Sequence, residues 1–159
     1  MRDIRTTIAA AVLALACTPV PACSIAAPGS VDVAPRAARD GEPVPPPPAM
    51  RLEAITRGNG AEPQTSCSDL GMVSLSVPDS DVGTYLFELV SSTTEFPNLP
   101  AGPVRAGPPQ DGKRYFVFPW IDGAFDEQEA IHLRIRVTAL SPTGARGGNI
   151  VIAVDDPGR

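Results

Sequence analysis

The chain has 159 residues, including 19 Pro, 14 Gly and 3 Cys, which leaves room for one ordinary domain and a segment that is not a domain. Its 13 basic residues against 18 acidic ones give a net charge of −5, so no basic surface for neutralising phosphates is expected and nucleic acid is set aside as a partner. With one His and no dense carboxylate cluster, the material for a transition-metal centre or for His-based catalysis is scarce, and neither a metal nor another cofactor is expected.

Residues 1–16 read as a signal peptide. Arg2 and Arg5 form a short positive region, no charge occurs from Thr6 to Val31, and the most apolar stretch is Ile8 to Cys17. A spanning helix needs about 18 or more apolar residues, whereas Pro19 and Pro21 interrupt this one early. Leu13-Ala14-Leu15-Ala16-Cys17 resembles the bacterial lipobox. The resemblance implies diacylation of Cys17, which becomes the mature N-terminus, so that the membrane is met through this lipid anchor only. Thr18 stands where the enterobacterial rule for retention at the inner membrane has Asp, which points to an outer-membrane lipoprotein or the periplasm. The same Ala14-Leu15-Ala16 also satisfies the small-x-small pattern of ordinary signal peptidase, as do Val20-Pro21-Ala22 and Ser24-Ile25-Ala26, and simple secretion follows in that case. Cys23 and Cys67 then remain as an even pair in an oxidising compartment. They are either a disulfide, closing a loop worth about 4 kcal/mol on the chain-entropy model, or two separate thiols.

Residues 17–50 are expected to form a disordered Pro/Ala-rich tether. Nine of the 33 residues from Thr18 to Met50 are Pro, including the run Pro45 to Pro48. Such a segment buries too little apolar surface to offset its ordering entropy, and Pro lacks the backbone donor of regular structure. Extended, it would reach roughly 100 Å.

From residue 51 to 159 the pattern has period two. Arg51 to Arg57 opens it, Val73, Leu75 and Val77 alternate with serines, and Tyr85, Phe87 and Leu89 alternate with Leu86, Glu88 and Val90. Val104 begins a short edge strand among prolines, and Tyr115 to Trp120 follows. Ile131, Leu133, Ile135, Val137 and Ala139 point one way while His132, Arg134, Arg136 and Thr138 point the other, as a strand with one buried face requires. Helical periodicity would bury the arginines. Asn149 to Asp155 closes the set. Short strands at this spacing, with no amphipathic helix, predict an all-β, seven-stranded two-sheet sandwich.

The run Leu133 to Gly144, followed by Ala145 to Gly148 and Ile150 to Val154, resembles the F strand, F-G loop and G strand of fibronectin type III and related immunoglobulin-like domains. Cys67 to Val90 is similar to their B strand, loop and C strand. The resemblance implies a fibronectin-like or Ig-like module, with strands C and F as neighbours. Glu88 would then face Arg134 or Arg136 on the outer sheet surface, beside Leu86, Val90 and His132, and these six residues form the candidate binding face.

No nucleophile elbow, zinc-protease helix, P-loop, C-x-x-C or dinucleotide fingerprint occurs, and the single His lies between arginine positions of a strand, so no enzyme is expected. Asp122, Asp126, Glu127 and Glu129, with Asp79 and Asp81, supply oxygen ligands, but their spacing fits no calcium motif. Trp120, with Tyr115 nearby, could stack on a sugar, but a lone Trp beside alternating Phe residues is read first as part of the core. The expectation is a monomeric, exported cell-envelope protein that binds a protein or glycan. The alternative is an unanchored secreted inhibitor that uses the sandwich loops.

Overall fold

The structure, a computed structural model, describes residues 28–58, 70–93, 99–122 and 128–158. Their regular structure is all β: β1 (Gly29–Ser30), β2 (Arg51–Thr56), β3 (Leu70–Pro78), β4 (Thr84–Ser92), β5 (Val104–Arg105), β6 (Lys113–Ile121), β7 (Ile131–Leu140) and β8 (Arg146–Asp156). One sheet has the order β1-β5-β4-β7-β8 and the other β2-β3-β6, with every pairing antiparallel. The expected strand count of seven falls one short of the eight among the described residues. The additional strand, β1, is too short to leave a periodic signal and belongs to the Pro-rich segment.

Alternation sets which face each strand buries. In β7, Ile131, Leu133, Ile135, Val137 and Ala139 are buried, while His132 and Arg136 are exposed. Val73, Leu75 and Val77 of β3 and Phe116, Phe118 and Trp120 of β6 meet them from the opposite sheet. At the centre, Tyr85 packs edge-on against Phe116 (5.5 Å, 88°), and Phe87 packs against Phe116 at 5.2 Å and Phe118 at 5.0 Å. Each such aromatic pair contributes about 0.5–1.5 kcal/mol beyond its buried area. Trp120 therefore belongs to the core, as the sequence suggested.

One end of the sandwich is closed by a buried ion lock. Arg57, just past β2, donates through Nε and Nη2 to Asp122 Oδ2 and Oδ1 at 2.8 and 2.7 Å, and through Nη1 to Asp156 Oδ1 at 2.5 Å. Asp122 also accepts from the Gly58 N–H (2.7 Å) and from Trp120 Nε1 (3.2 Å), and Arg57 Nη2 reaches the Glu129 carbonyl at 3.0 Å. The hydrogen bond to Asp122, ahead of that to Asp156, holds the guanidinium more firmly protonated than usual. The lock ties the ends of β2, β6 and β8, and hence both sheets. It also engages the carboxylate of Asp122, one of the acidic residues weighed for calcium.

At the other end, residues 28–50 form a strap, where composition alone suggested a free tether. β1 pairs with β5, and the Val31 N–H donates to the Pro103 carbonyl. Arg36 then bridges Ala145 in the turn between β7 and β8: its N–H donates to Gly144 O and its carbonyl accepts from Arg146 N, both at 2.9 Å. Arg36 also forks onto Glu42 at 2.8 and 2.6 Å and reaches Thr143 Oγ1 at 2.9 Å. Further on, Pro45 O accepts from Gly148 N at 2.9 Å, and Met50 enters the core. A Cβ on Gly147 or Gly148 would overlap Pro45 or Pro47, and one on Gly144 (φ 83°) would overlap the Ala34 carbonyl. These glycines let the strap approach, and the hydrogen bonds it makes to the turn supply what a Pro-rich segment cannot supply to itself.

Candidate functional site

The outer face of β4, β7 and β8 carries the residues singled out from the sequence. Register places Glu88 opposite Arg136, and Arg136 opposite Val151 on the other side. Arg134 lies opposite Ala153, and His132 opposite Asp155. All of these side chains share one face because cross-strand partners in an antiparallel pair point the same way.

Two ion clusters flank this face. Asp155 is held by Arg134 Nη1 at 2.9 Å and by His132 Nδ1 at 3.0 Å. The Arg134 hydrogen bond, followed by that of His132, keeps its carboxyl below the usual range. Glu88 pairs with Arg146 of β8 at 3.2 Å, although its register partner is Arg136. The expected cross-strand opposition is therefore present, but the ion pair is made diagonally, with a strand the sequence argument had not considered. Arg136, exposed between these clusters, makes no ion pair among the described residues. Beside it lies Val151, half of whose surface is open at 52%.

The remaining two candidates depart from the simple face. Val90 is the extra residue of a β-bulge: Leu89 opposes Ile135 and Ser91 opposes Arg134, leaving Val90 without a β7 partner and 47% exposed. Leu86 has outer-face parity but is 7% exposed, and its partner Thr138 is 3% exposed. Between its anchors at β5 and the β7–β8 turn the strap has to pass β4 and β7, and Thr84, Leu86, Thr138 and Leu140 are buried at this end. Leu86 is thus covered and outside the open patch.

Sequence reasoning missed Arg146, Val151, Ala153 and Asp155 as members of this face. For Val151, Ala153 and Asp155 the signal was the alternation in Asn149 to Asp155, which reports a buried side and by complement an open one, whereas Arg146 lies before that run and beyond a register shift. Tyr115 lines an open cleft of about 430 Å³ with Pro28, Pro108, Pro109 and Val117. Asp79 pairs with Arg114 and Asp81 accepts from the Tyr85 hydroxyl, so neither completes an oxygen cage. Burial first, and then Asp81, pushes the Tyr85 hydroxyl's pKa upward. Among the described residues no group of three His, Cys, Asp or Glu is placed to hold a metal ion. Cys17, Cys23, Cys67, Asp126 and Glu127 lie outside the described residues.

No family model, curated protein or solved structure matches this chain.

Proposed function

We propose that the chain is an exported, noncatalytic cell-envelope protein that presents one fibronectin-like or Ig-like module to a protein or glycan partner, and that the partner docks an anionic group on Arg136. The observation that carries this reading is the contrast between Arg136 and its neighbours. Arg134 and Arg146 are committed to Asp155 and Glu88, whereas the Arg136 guanidinium stands open beside exposed Val151. A planar guanidinium next to an apolar surface suits bidentate recognition of a carboxylate or phosphate, with apolar contact around it.

Two further points support the reading. Counted from Arg51 as A to G, the sandwich strands divide into A, B and E against C, F and G, with the short fourth strand beside C. Apart from the side taken by that fourth strand, this is the Ig-like division. The strap engages the turn from Ser141 to Gly148, which favours the sheet face over these loops as the presenting surface. Diacylation at Cys17 after removal of residues 1–16, placement in the outer membrane or periplasm, and a Cys23–Cys67 disulfide belong to the same proposal.

The test is binding of the full exported chain to panels of acidic glycans and envelope proteins, with Arg136→Gln alongside, and intact mass of the mature chain. The proposal expects a ligand whose affinity falls about tenfold or more in the variant, and a mass carrying acyl chains. Equal binding by Arg136→Gln, or no ligand on either panel, would remove the docking role, and an unacylated mature chain would remove the anchor.

A further inference from the structure

The outer edge of β8 is the feature of the fold that neither the core nor the proposed face uses. The Thr93 N–H donates to the His132 carbonyl, and the His132 N–H to Thr93 Oγ1, so the main chain of His132 turns toward β4. Main-chain direction alternates along a strand. Leu133, Ile135 and Val137 therefore turn toward β8, where their partners are Val154, Ile152 and Ile150. It follows that Val151, Ala153 and Asp155 direct their N–H and C=O groups away from the sheet, and among the described residues no strand pairs with β8 on that side. β2 of the opposite sheet runs past without pairing to it.

The other edges are blunted by devices that discourage pairing. β1 is two residues long, β2 carries Arg51, Glu53 and a register shift, and β6 carries Lys113, Arg114 and Pro119. β8 has no charge or proline from Gly147 to Val154. At one end the strap covers it as far as Gly148, and at the other the ion lock holds Asp156. The open window runs from Asn149 to Asp155, and its midpoint is Ile152.

We propose that this window pairs antiparallel with the same window of a second copy, about a two-fold axis at Ile152, joining two five-stranded sheets into one continuous sheet. In this register Val151 of each copy opposes Ala153 of the other, and Asn149 opposes Asp155. Every outward main-chain group of Val151, Ala153 and Asp155 then finds its complement. Large meets small, an amide meets a carboxylate, and no like charges stand opposite one another. Shifting the centre to Val151 would drive Gly147 and Gly148 against Asp155 and Val154, where the strap already lies. A second copy is favoured over an unrelated extended peptide because the window is complementary to itself, as a two-fold interface requires. The dimer replaces the monomer expected from the sequence and sets two Arg136 faces side by side.

The test is mass measurement by static light scattering across a dilution series of the full chain, with two double variants at exposed side chains. Val151→Lys with Ala153→Lys places like charges opposite each other and should weaken association about tenfold or more. Val151→Glu with Ala153→Lys places opposite charges across the same pairs and should restore it. Circular dichroism of each variant reports whether the sandwich is retained. A chain that stays monomeric at every concentration overturns the proposal, whether or not it captures extended peptides. So does a dimer indifferent to both double variants, or one that the charge-swapped variant fails to restore.

Discussion

Replacing Asp122 with Ala is the sharpest perturbation of the fold. The carboxylate is 2% exposed and accepts from Arg57, Gly58 N and Trp120 Nε1. Without it, Arg57, itself 8% exposed, keeps Asp156 and the Glu129 carbonyl among the described residues, while the Gly58 N–H and the indole N–H lose an acceptor. Breaking a buried pair by removing one partner costs about 3–5 kcal/mol, because the surviving charge stays buried. For a domain of this size that is a fall in Tm of about 10–20 °C. Urea unfolding followed by Trp120 fluorescence, with calorimetry for Tm, measures it. The paired substitution Arg57→Leu with Asp122→Leu removes both charges and should cost less than the single change. A loss below about 1 kcal/mol for Asp122→Ala, typical of an exposed pair, would refute the claim that this end of the sandwich is closed by a desolvated lock.

The strap makes two further predictions. Gly148→Val places side-chain atoms where Pro47 lies, and should cost about 1–3 kcal/mol as an overpacking change; hydrogen exchange should show the Arg146 amide deprotected along with the strap. Glu42, hydrogen-bonded first by Arg36 and then by the Arg39 N–H, has its pKa lowered from 4.5 to about 2. A depressed carboxyl stabilises fully above its unfolded value and loses that contribution as pH falls through its folded value. Protection of the Arg146 amide should therefore hold at pH 5 and above and decline between about 4.5 and 2, and Glu42→Gln should remove that acid step. A pH-independent strap would contradict the role given to the Arg36–Glu42 pair.

The sequence carried the sandwich because its core is written in local alternation. Ile131 to Ala139 and Tyr115 to Trp120 each declare a buried side without reference to any partner. Glu88 and Arg136 could be set opposite each other for the same reason, once two strands were taken as neighbours. The strap could not be read this way. Pro45 and Pro47 have no period, and Gly144, Gly147 and Gly148 signal a close approach only when the approaching segment is known. Arg57, Asp122 and Asp156 are far apart in the chain, and nothing local marks them as one buried cluster. The bulge at Val90 and the covering of Leu86 depend likewise on neighbours, so a face inferred from parity alone included one residue that the strap conceals.

The claim at the centre of this account is that the five-stranded sheet presents the binding surface. Photocrosslinking in the intact envelope tests it most directly, with a photoreactive residue at Val90 on that sheet or at Ala54 on the opposite one. The account predicts a discrete adduct from Val90 that disappears in the Arg136→Gln background, and none from Ala54. Equal adducts from both positions, or an adduct from Ala54 alone, would contradict it.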